Sequence, residues 1–312
     1  MTLWWIIFGV FIFAMLALDL GVFNRKVHVI KMKEALLWTA FWVILASLFC
    51  AGIYFFYGHS KAMEFTAAYL IEYSLSIDNL FVFMLIFRFF NVPVAYEHKA
   101  LFWGILLALI TRAAFIFAGV ALINTFSWVM YIFGIFLVFT GIKMALNKQT
   151  EVHPDRNVAI KLLRFFIPVT KEFSGAKFFI LQSGKRFATP MLAVLLALET
   201  TDILFAIDSI PAVLAISKDP FIIYTSNVFA ILGLRSLFFA ISGLMKLFHL
   251  LHYGLAAILS FVGVKMLIED FFHIPIAASL IVIASILVLS IILSIIWPEN
   301  ENTEVPPVTV KE

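Results

Sequence analysis

Five carboxylates stand inside two apolar segments of this sequence. Glu72 and Asp78 fall in Glu72-Tyr73-Ser74-Leu75-Ser76-Ile77-Asp78-Asn79. Glu199, Asp202 and Asp208 fall in Glu199-Thr200-Thr201-Asp202-Ile203-Leu204-Phe205-Ala206-Ile207-Asp208-Ser209. A carboxylate at a bilayer centre costs roughly 2.5–3.5 kcal/mol on insertion scales, so five uncompensated ones would cost on the order of 10 kcal/mol. That sum rivals the stability of a whole domain. The compensating groups in these segments are Arg112, Arg235 and any bound cation. Two guanidinium groups cannot neutralise five ionised carboxylates, so protons or a metal must supply the remaining positive charge. Both answers point to ion or proton traffic.

The donor set around the acids is oxygen-only. Asn79, Ser76, Ser209 and Thr201 accompany the carboxylates, and no His or Cys lies within either motif. Hard oxygen donors suit magnesium, calcium or manganese, whereas zinc and copper favour imidazole or sulfur. Spacing sets further limits. Glu72 and Asp78 are six residues apart, which on a regular helix is about 9 Å along the axis and about 240° around it. Glu199 and Asp202 share a helix face. Asp208 points to the opposite face, so one straight helix aims all three at a single ion with difficulty. Pro211 removes a backbone donor and clashes with the Ile207 carbonyl, which predicts a kink or unwound turn between Ala206 and Pro211. Such a break would free carbonyls as extra ligands, as in the discontinuous helices of secondary transporters.

The elements that must position these residues follow from hydropathy. Of the 312 residues, 63% are hydrophobic and 13% charged, against about 25% charged in soluble domains. Apolar stretches of about 20 residues, each long enough to cross hydrocarbon, follow one another nearly end to end. They predict an all-α polytopic membrane protein of nine transmembrane helices at 3–23, 36–57, 64–88, 99–121, 127–146, 189–216, 222–247, 252–270 and 275–297. The N-terminal segment lacks a basic region and is not read as a secretory signal peptide. Residues 1–298 form a single transmembrane domain on this reading. The acidic tail 299–312, with Pro306-Pro307, is expected to be disordered and cytoplasmic. One cysteine, Cys50, excludes a disulfide framework and a thiolate metal site.

Lysine and arginine set the orientation. Arg25, Lys26, Lys31 and Lys33 lie in the first loop, Arg88 and Lys99 after the third helix, and Lys246 after the seventh. The loop 147–188 adds Lys148, Arg156, Lys161, Arg164, Lys171, Lys177, Lys185 and Arg186. Under nine spans all of these fall on one side, which is therefore expected to be cytoplasmic. The N-terminus then lies outside and the C-terminus inside an inner (plasma) membrane. Within the long loop, Ile160 to Ile167 and Phe178-Phe179-Ile180 are basic-aromatic stretches that suit a membrane surface. Nothing in the pattern suits nucleic acid.

The two acid segments begin two similar units. Aligning Ile77-Asp78-Asn79 with Ile207-Asp208-Ser209 sets Glu72 opposite Asp202. Each unit continues with an arginine, Thr111-Arg112 or Leu234-Arg235. Each ends in a Gly-x-Lys-Met motif, Thr140-Gly141-Ile142-Lys143-Met144 or Val262-Gly263-Val264-Lys265-Met266. Helices 3 and 6 run in opposite senses through the predicted topology. The units 64–146 and 189–270 are therefore expected to be inverted three-helix repeats, a frequent framework for alternating access with the site near the midplane. Arg112 and Arg235 are the expected counter-charges of the acids. Asp19, at the cytoplasmic end of the first helix, is either a solvated helix-end acid or an ion-entry residue. Lys143 and Lys265 near helix ends are expected to snorkel. The seven histidines lie in loops or near helix ends and read as surface residues, and the phenylalanines as lipid-facing bulk.

At these residues the chain resembles the TerC/Alx family of integral membrane metal-homeostasis proteins, and its length and basic middle loop resemble the Alx-like branch. The matching stretches are Leu18-Asp19-Leu20-Gly21-Val22-Phe23, Glu72 to Phe83 and Glu199 to Ala212. The resemblance implies export of Mn²⁺ from the cytoplasm, with the acids of both motifs essential. More distant relatives are named for tellurite resistance. The residues alone indicate a hard cation, with Ca²⁺ and Mg²⁺ open beside Mn²⁺. Protons are an expected counter-ion, since closely spaced carboxylates can exchange protons for metal. The competing class is a membrane assembly or interaction factor whose acids hold helices together through Arg112 and Arg235. No redox-cofactor motif or cysteine pair supports an enzyme.

Overall fold

The computed structural model describes residues 2–18, 32–146, 157–170, 172–182, 184–241 and 250–297. Asp19, Lys246, the start of the long loop and the C-terminal tail lie outside the described residues. Ten helices and one hairpin occupy the rest. They are α1 (Thr2–Leu18), α2 (Met32–Tyr57), α3 (His59–Phe89), α4 (Val94–Thr125), α5 (Val129–Leu146), α6 (Val158–Phe166), β1 (Phe179–Gln182), β2 (Lys185–Ala188), α7 (Pro190–Leu214), α8 (Pro220–Ile241), α9 (Leu251–Ile268) and α10 (Ile276–Ile296). Among the described residues eight helices are long and apolar enough to cross a membrane: α2 to α5 and α7 to α10. Each coincides with a predicted span. The first predicted span is α1, whose described length of 17 residues is shorter.

Local chemistry sets the boundaries. Gly58, at φ 88°, is the single residue between α2 and α3. That left-handed conformation carries no steric cost for glycine and lets two long helices turn back at once. Prolines open later helices, where their fixed φ suits the first turn and the missing N–H is not needed. Pro93 caps α4, Pro190 begins α7, and Pro275 caps α10. At α8, the Asp219 carboxylate accepts from the Phe221 N–H at 3.0 Å.

Neighbour contacts give the helix directions. Phe65 meets Phe229 and Phe87 meets Phe238, so α3 and α8 run parallel. Gly104 lies under Leu198 and Gly119 under Leu214, so α4 and α7 run parallel. Glu64, early in α3, meets Ser217, just beyond the end of α7, while Arg112 joins Glu72 to Asp202 deeper in; α3 and α7 are antiparallel. Antiparallel packing also joins α5 to α9, with the two backbones in close approach. A Cβ on Gly141 would lie 2.7 Å from the Ala256 carbonyl and 2.3 Å from Ser260 Oγ. A Cβ on Gly263 would lie 2.7 Å from the Gly134 carbonyl and 2.8 Å from the Val138 amide. Glycines are required there because the backbones approach within the space a methyl group would fill. The two contacts are reciprocal: subtracting 122 from Gly263, Ala256 and Ser260 gives Gly141, Gly134 and Val138.

Three expectations are corrected. The helix α7 runs unbroken from Pro190 to Leu214, with Pro211 inside it. Pro211 stands one turn from the helix end, where it forfeits a single bond and its own carbonyl still accepts from Ala215 at 3.1 Å. Tight packing of Ile210 and Leu214 against Gly119 holds the segment helical. No unwound turn supplies carbonyl ligands. The phenylalanines are not all lipid-facing, since Phe8, Phe65, Phe87, Phe102, Phe221, Phe229 and Phe238 belong to the buried core. Lys265 does not snorkel. It is 3% exposed, and its ammonium donates to the Ala215 carbonyl at the end of α7, at 3.4 Å.

Candidate intramembrane acid site

Helix α3 turns Glu72 inward, where it is fully buried. Its Oε1 contacts Arg112 Nη1 from α4. The same guanidinium faces α7, where Nε donates to Asp202 Oδ2 at 3.1 Å and Nη2 to Asp202 Oδ1 at 2.8 Å. One planar fork thus binds one carboxylate bidentately and touches a second, a geometry that guanidinium permits and ammonium does not. The two acids so joined are those set opposite each other by the sequence alignment. Arg112 is itself the largest fully buried side chain among the described residues. One cation between two carboxylates leaves the trio formally one charge negative if both acids are ionised.

Glu199 lies outside this trio. Thr111, beside Arg112 on α4, donates to Glu199 Oε1 at 3.2 Å. The second oxygen, Oε2, is buried and makes no hydrogen bond among the described residues. Glu199 and Asp202 both line a small, partly open cavity of about 20 Å³ between α3, α4, α7 and α8, with room for about one water-sized group. Its other walls are mostly apolar, including Leu80, Phe83, Leu101 and Leu234, and Arg235 of α8 also lines it. The arginine of the second unit therefore stands at the cavity.

Asp78 and Asp208 occupy separate surroundings, both half-buried. Thr140 of α5 donates to Asp208 Oδ1 at 3.3 Å, and Lys143 lies within electrostatic reach. Asp78 lies within electrostatic reach of His252 on α9. The His252 ring also meets the Met144 carbonyl at the end of α5, Nε2 to O 2.5 Å. His252 is therefore half-buried between three helices, which corrects its reading as a surface residue. Asn79, Ser76 and Ser209 are buried beside the acids. The Ser76 and Ser209 hydroxyls make no hydrogen bond among the described residues, and neither does Glu72 Oε2. Among the described residues no three of His, Cys, Asp and Glu converge as a metal-holding group. The five acids are thus distributed over three places: the Arg112 trio, the cavity wall and the seam beside α5 and α9.

Thr111, Thr140 and His252 were not singled out from sequence. Each threonine directly precedes a repeated residue, Thr111 before Arg112 and Thr140 before Gly141, but the second unit has Leu234 and Val262 in those places, so the repeat itself did not mark them. Glu64 is a fourth buried acid partner set. It accepts from Ser217 at 2.6 Å and from Lys61 at 2.7 Å, and Lys61 lies 3.8 Å from Asp219. That cluster ties the start of α3 to the connection between α7 and α8.

This arrangement defines a polytopic α-helical membrane protein with buried, charge-paired acids at the helix crossings. More particularly, the chain matches the Integral membrane protein TerC family over residues 57–302 and belongs to that family. A protein of Myxococcus xanthus named "Uncharacterized membrane protein STKORF319" is 51% identical over 299 residues, covering 96% of this chain and 94% of the relative. Two relatives named "Putative membrane-bound redox modulator Alx" are each 43% identical. That of Salmonella typhi aligns over 95% of this chain and 94% of its own length. That of Escherichia coli (strain K12) aligns over 92% of each. No solved structure matches the chain.

Proposed function

We propose that this chain is a divalent metal cation transporter that exports Mn²⁺ from the cytoplasm through its intramembrane acids. The observation that carries the reading is the cavity faced by Glu199 and Asp202, where a buried carboxylate oxygen makes no hydrogen bond among the described residues. A buried carboxylate of that kind is costly unless a cation or proton satisfies it. The oxygen atoms at hand are the two carboxylates and the Thr111 hydroxyl, which suit a hard cation. Directions support two inverted units: α3 opposes α7, α5 opposes α9, and the glycine contacts of α5 and α9 exchange. The cargo passes Asp78 and Asp208 beside α5 and α9 as the two units rock against each other. On this reading the basic loops are cytoplasmic, the N-terminus is outside, and protons return in exchange for metal.

The test is cellular manganese in cells expressing the parent, Asp78→Asn or Asp208→Asn. The parent lowers intracellular manganese and both variants fail to. Variants that lower it as well as the parent would remove these acids from the pathway.

One observation favours the second reading, a membrane assembly factor. Arg112 satisfies Glu72 and Asp202 as a purely structural clamp would. An assembly factor would retain a co-purifying partner after metal is stripped, and manganese levels would not follow its acids. The redox term in the Alx relatives' names finds little chemistry in this chain. Cys50 is its only thiol, and Sγ lies 3.2 Å from Thr66 Oγ1 between α2 and α3.

A further inference from the structure

The loop before α7 folds into a short helix and a hairpin with one face turned away from the protein. Asn157 caps α6, its side chain accepting from the Ala159 amide at 2.9 Å and donating to Thr200 of α7 at 2.7 Å. Beyond α6, Ala188, the last residue of β2 and two before α7, bonds to Pro168 and Thr170. The helix therefore lies antiparallel along the first three turns of α7, a helix long and apolar enough to cross a membrane. Ile160, 2% exposed, packs inward. Leu162, Phe165 and Phe166 sit about 180° away from it on the helix and are 57%, 82% and 71% exposed. On β1, Phe179 and Leu181 share a face at 51% and 71% exposure, and Leu181 pairs across the hairpin with Arg186.

Around this apolar surface the described residues place Lys161, Arg164, Lys177, Lys185 and Arg186, all exposed, against a single carboxylate, Glu172. Large apolar side chains facing outward at the depth of a spanning helix need acyl chains, and a rim of cations needs anionic headgroups. Helices of this pattern lie in the interface with their apolar face at the headgroup–acyl boundary. We propose that α6 and the β1–β2 hairpin form a docking surface for anionic phospholipid of the leaflet facing this loop. The aromatic and leucine side chains enter the acyl region. The lysines and arginines bind phosphate.

The test uses the full chain in lipid nanodiscs, with Cys50→Ser and Phe165→Cys carrying an environment-sensitive fluorophore. Brominated phosphatidylglycerol and brominated phosphatidylcholine are compared at equal mole share in otherwise identical bilayers. Brominated phosphatidylglycerol is expected to quench at least about twofold more, since each basic residue near the surface favours anionic lipid. The combined variant Lys161→Gln, Arg164→Gln, Lys185→Gln and Arg186→Gln is expected to bring the ratio to unity. A label at Phe139, exposed on α5, should be quenched by both lipids throughout and so report that the variant remains folded. Equal quenching of the Phe165 label by both lipids in the parent overturns the proposal. So does quenching by aqueous iodide alone, which places the surface in water. Shielding from all three quenchers also overturns it, because a protein then covers the face.

Discussion

Two sets of acids in one membrane domain are stabilised in different ways. Glu72 and Asp202 share Arg112, a buried cation with two-pronged geometry. Glu199, Asp208 and Asp78 have a hydroxyl, a hydroxyl and an imidazole as neighbours. A guanidinium holds its charge at any working pH and resists exchange, so the first set is suited to fixing helices α3, α4 and α7 against one another. A hydroxyl donates a single bond and leaves the carboxylate's charge in place. The second set is therefore where an entering cation gains most. On the proposed function the trio belongs to architecture and the remaining acids to traffic, although the motifs present them as equals.

The largest expected effect comes from breaking the trio. Arg112→Gln strands two buried carboxylates, and removing one member of a buried ion pair costs about 3–5 kcal/mol. Thermal unfolding in detergent should show the loss, together with aggregated material on size exclusion. The combined change Arg112→Gln, Glu72→Gln and Asp202→Asn should recover much of that stability, because no uncompensated charge remains. Equal stability of Arg112→Gln and the parent would sink the architectural assignment.

Next in size is the functional half of the comparison. Asp78→Asn and Asp208→Asn should leave the melting temperature within a few degrees of the parent's and abolish the manganese lowering. Melting curves and cellular manganese, measured on the same preparations, separate the two sets directly.

A smaller effect is expected at the α5–α9 seam. Gly141→Ala puts a methyl group 2.7 Å from the Ala256 carbonyl, and overpacking of this kind costs about 1–3 kcal/mol. Gly9→Ala, with nothing within 4 Å of the added carbon, should be within about 0.5 kcal/mol of the parent. The pair tests whether close approach, rather than glycine content, sets the seam.

The smallest is Thr111→Val, which removes the donor to Glu199. A side-chain hydrogen bond within a membrane averages about 0.6 kcal/mol, so apparent manganese affinity in proteoliposomes should change about threefold. A loss of tenfold or more would move Glu199 into the fixed architecture beside Asp202.

The helices and the acids were legible in the order of residues alone. Hydropathy is a property of consecutive residues, so the described spans α2 to α5 and α7 to α10 fall where apolar runs lie. The turn and cap residues Gly58, Pro93, Pro190 and Pro275 mark their ends. The repeated Glu/Asp, Arg and Gly-x-Lys-Met motifs were equally visible, being local patterns of residue type. Which acid meets which partner depends on contacts between distant segments. Arg112 and Asp202 are 90 positions apart, and Thr140 and Asp208 are 68 apart. Nothing in local sequence tells Arg112 to bind two acids while Arg235 lines a cavity. The continuity of α7 through Pro211 was likewise decided by packing against α4, which outweighed the proline's local preference. So was the place of His252, which sequence position put at a helix end and the fold put between α3, α5 and α9. Spans follow from local hydrophobic length, whereas charge partners follow from which helix faces come together, and that choice is made across the whole chain at once.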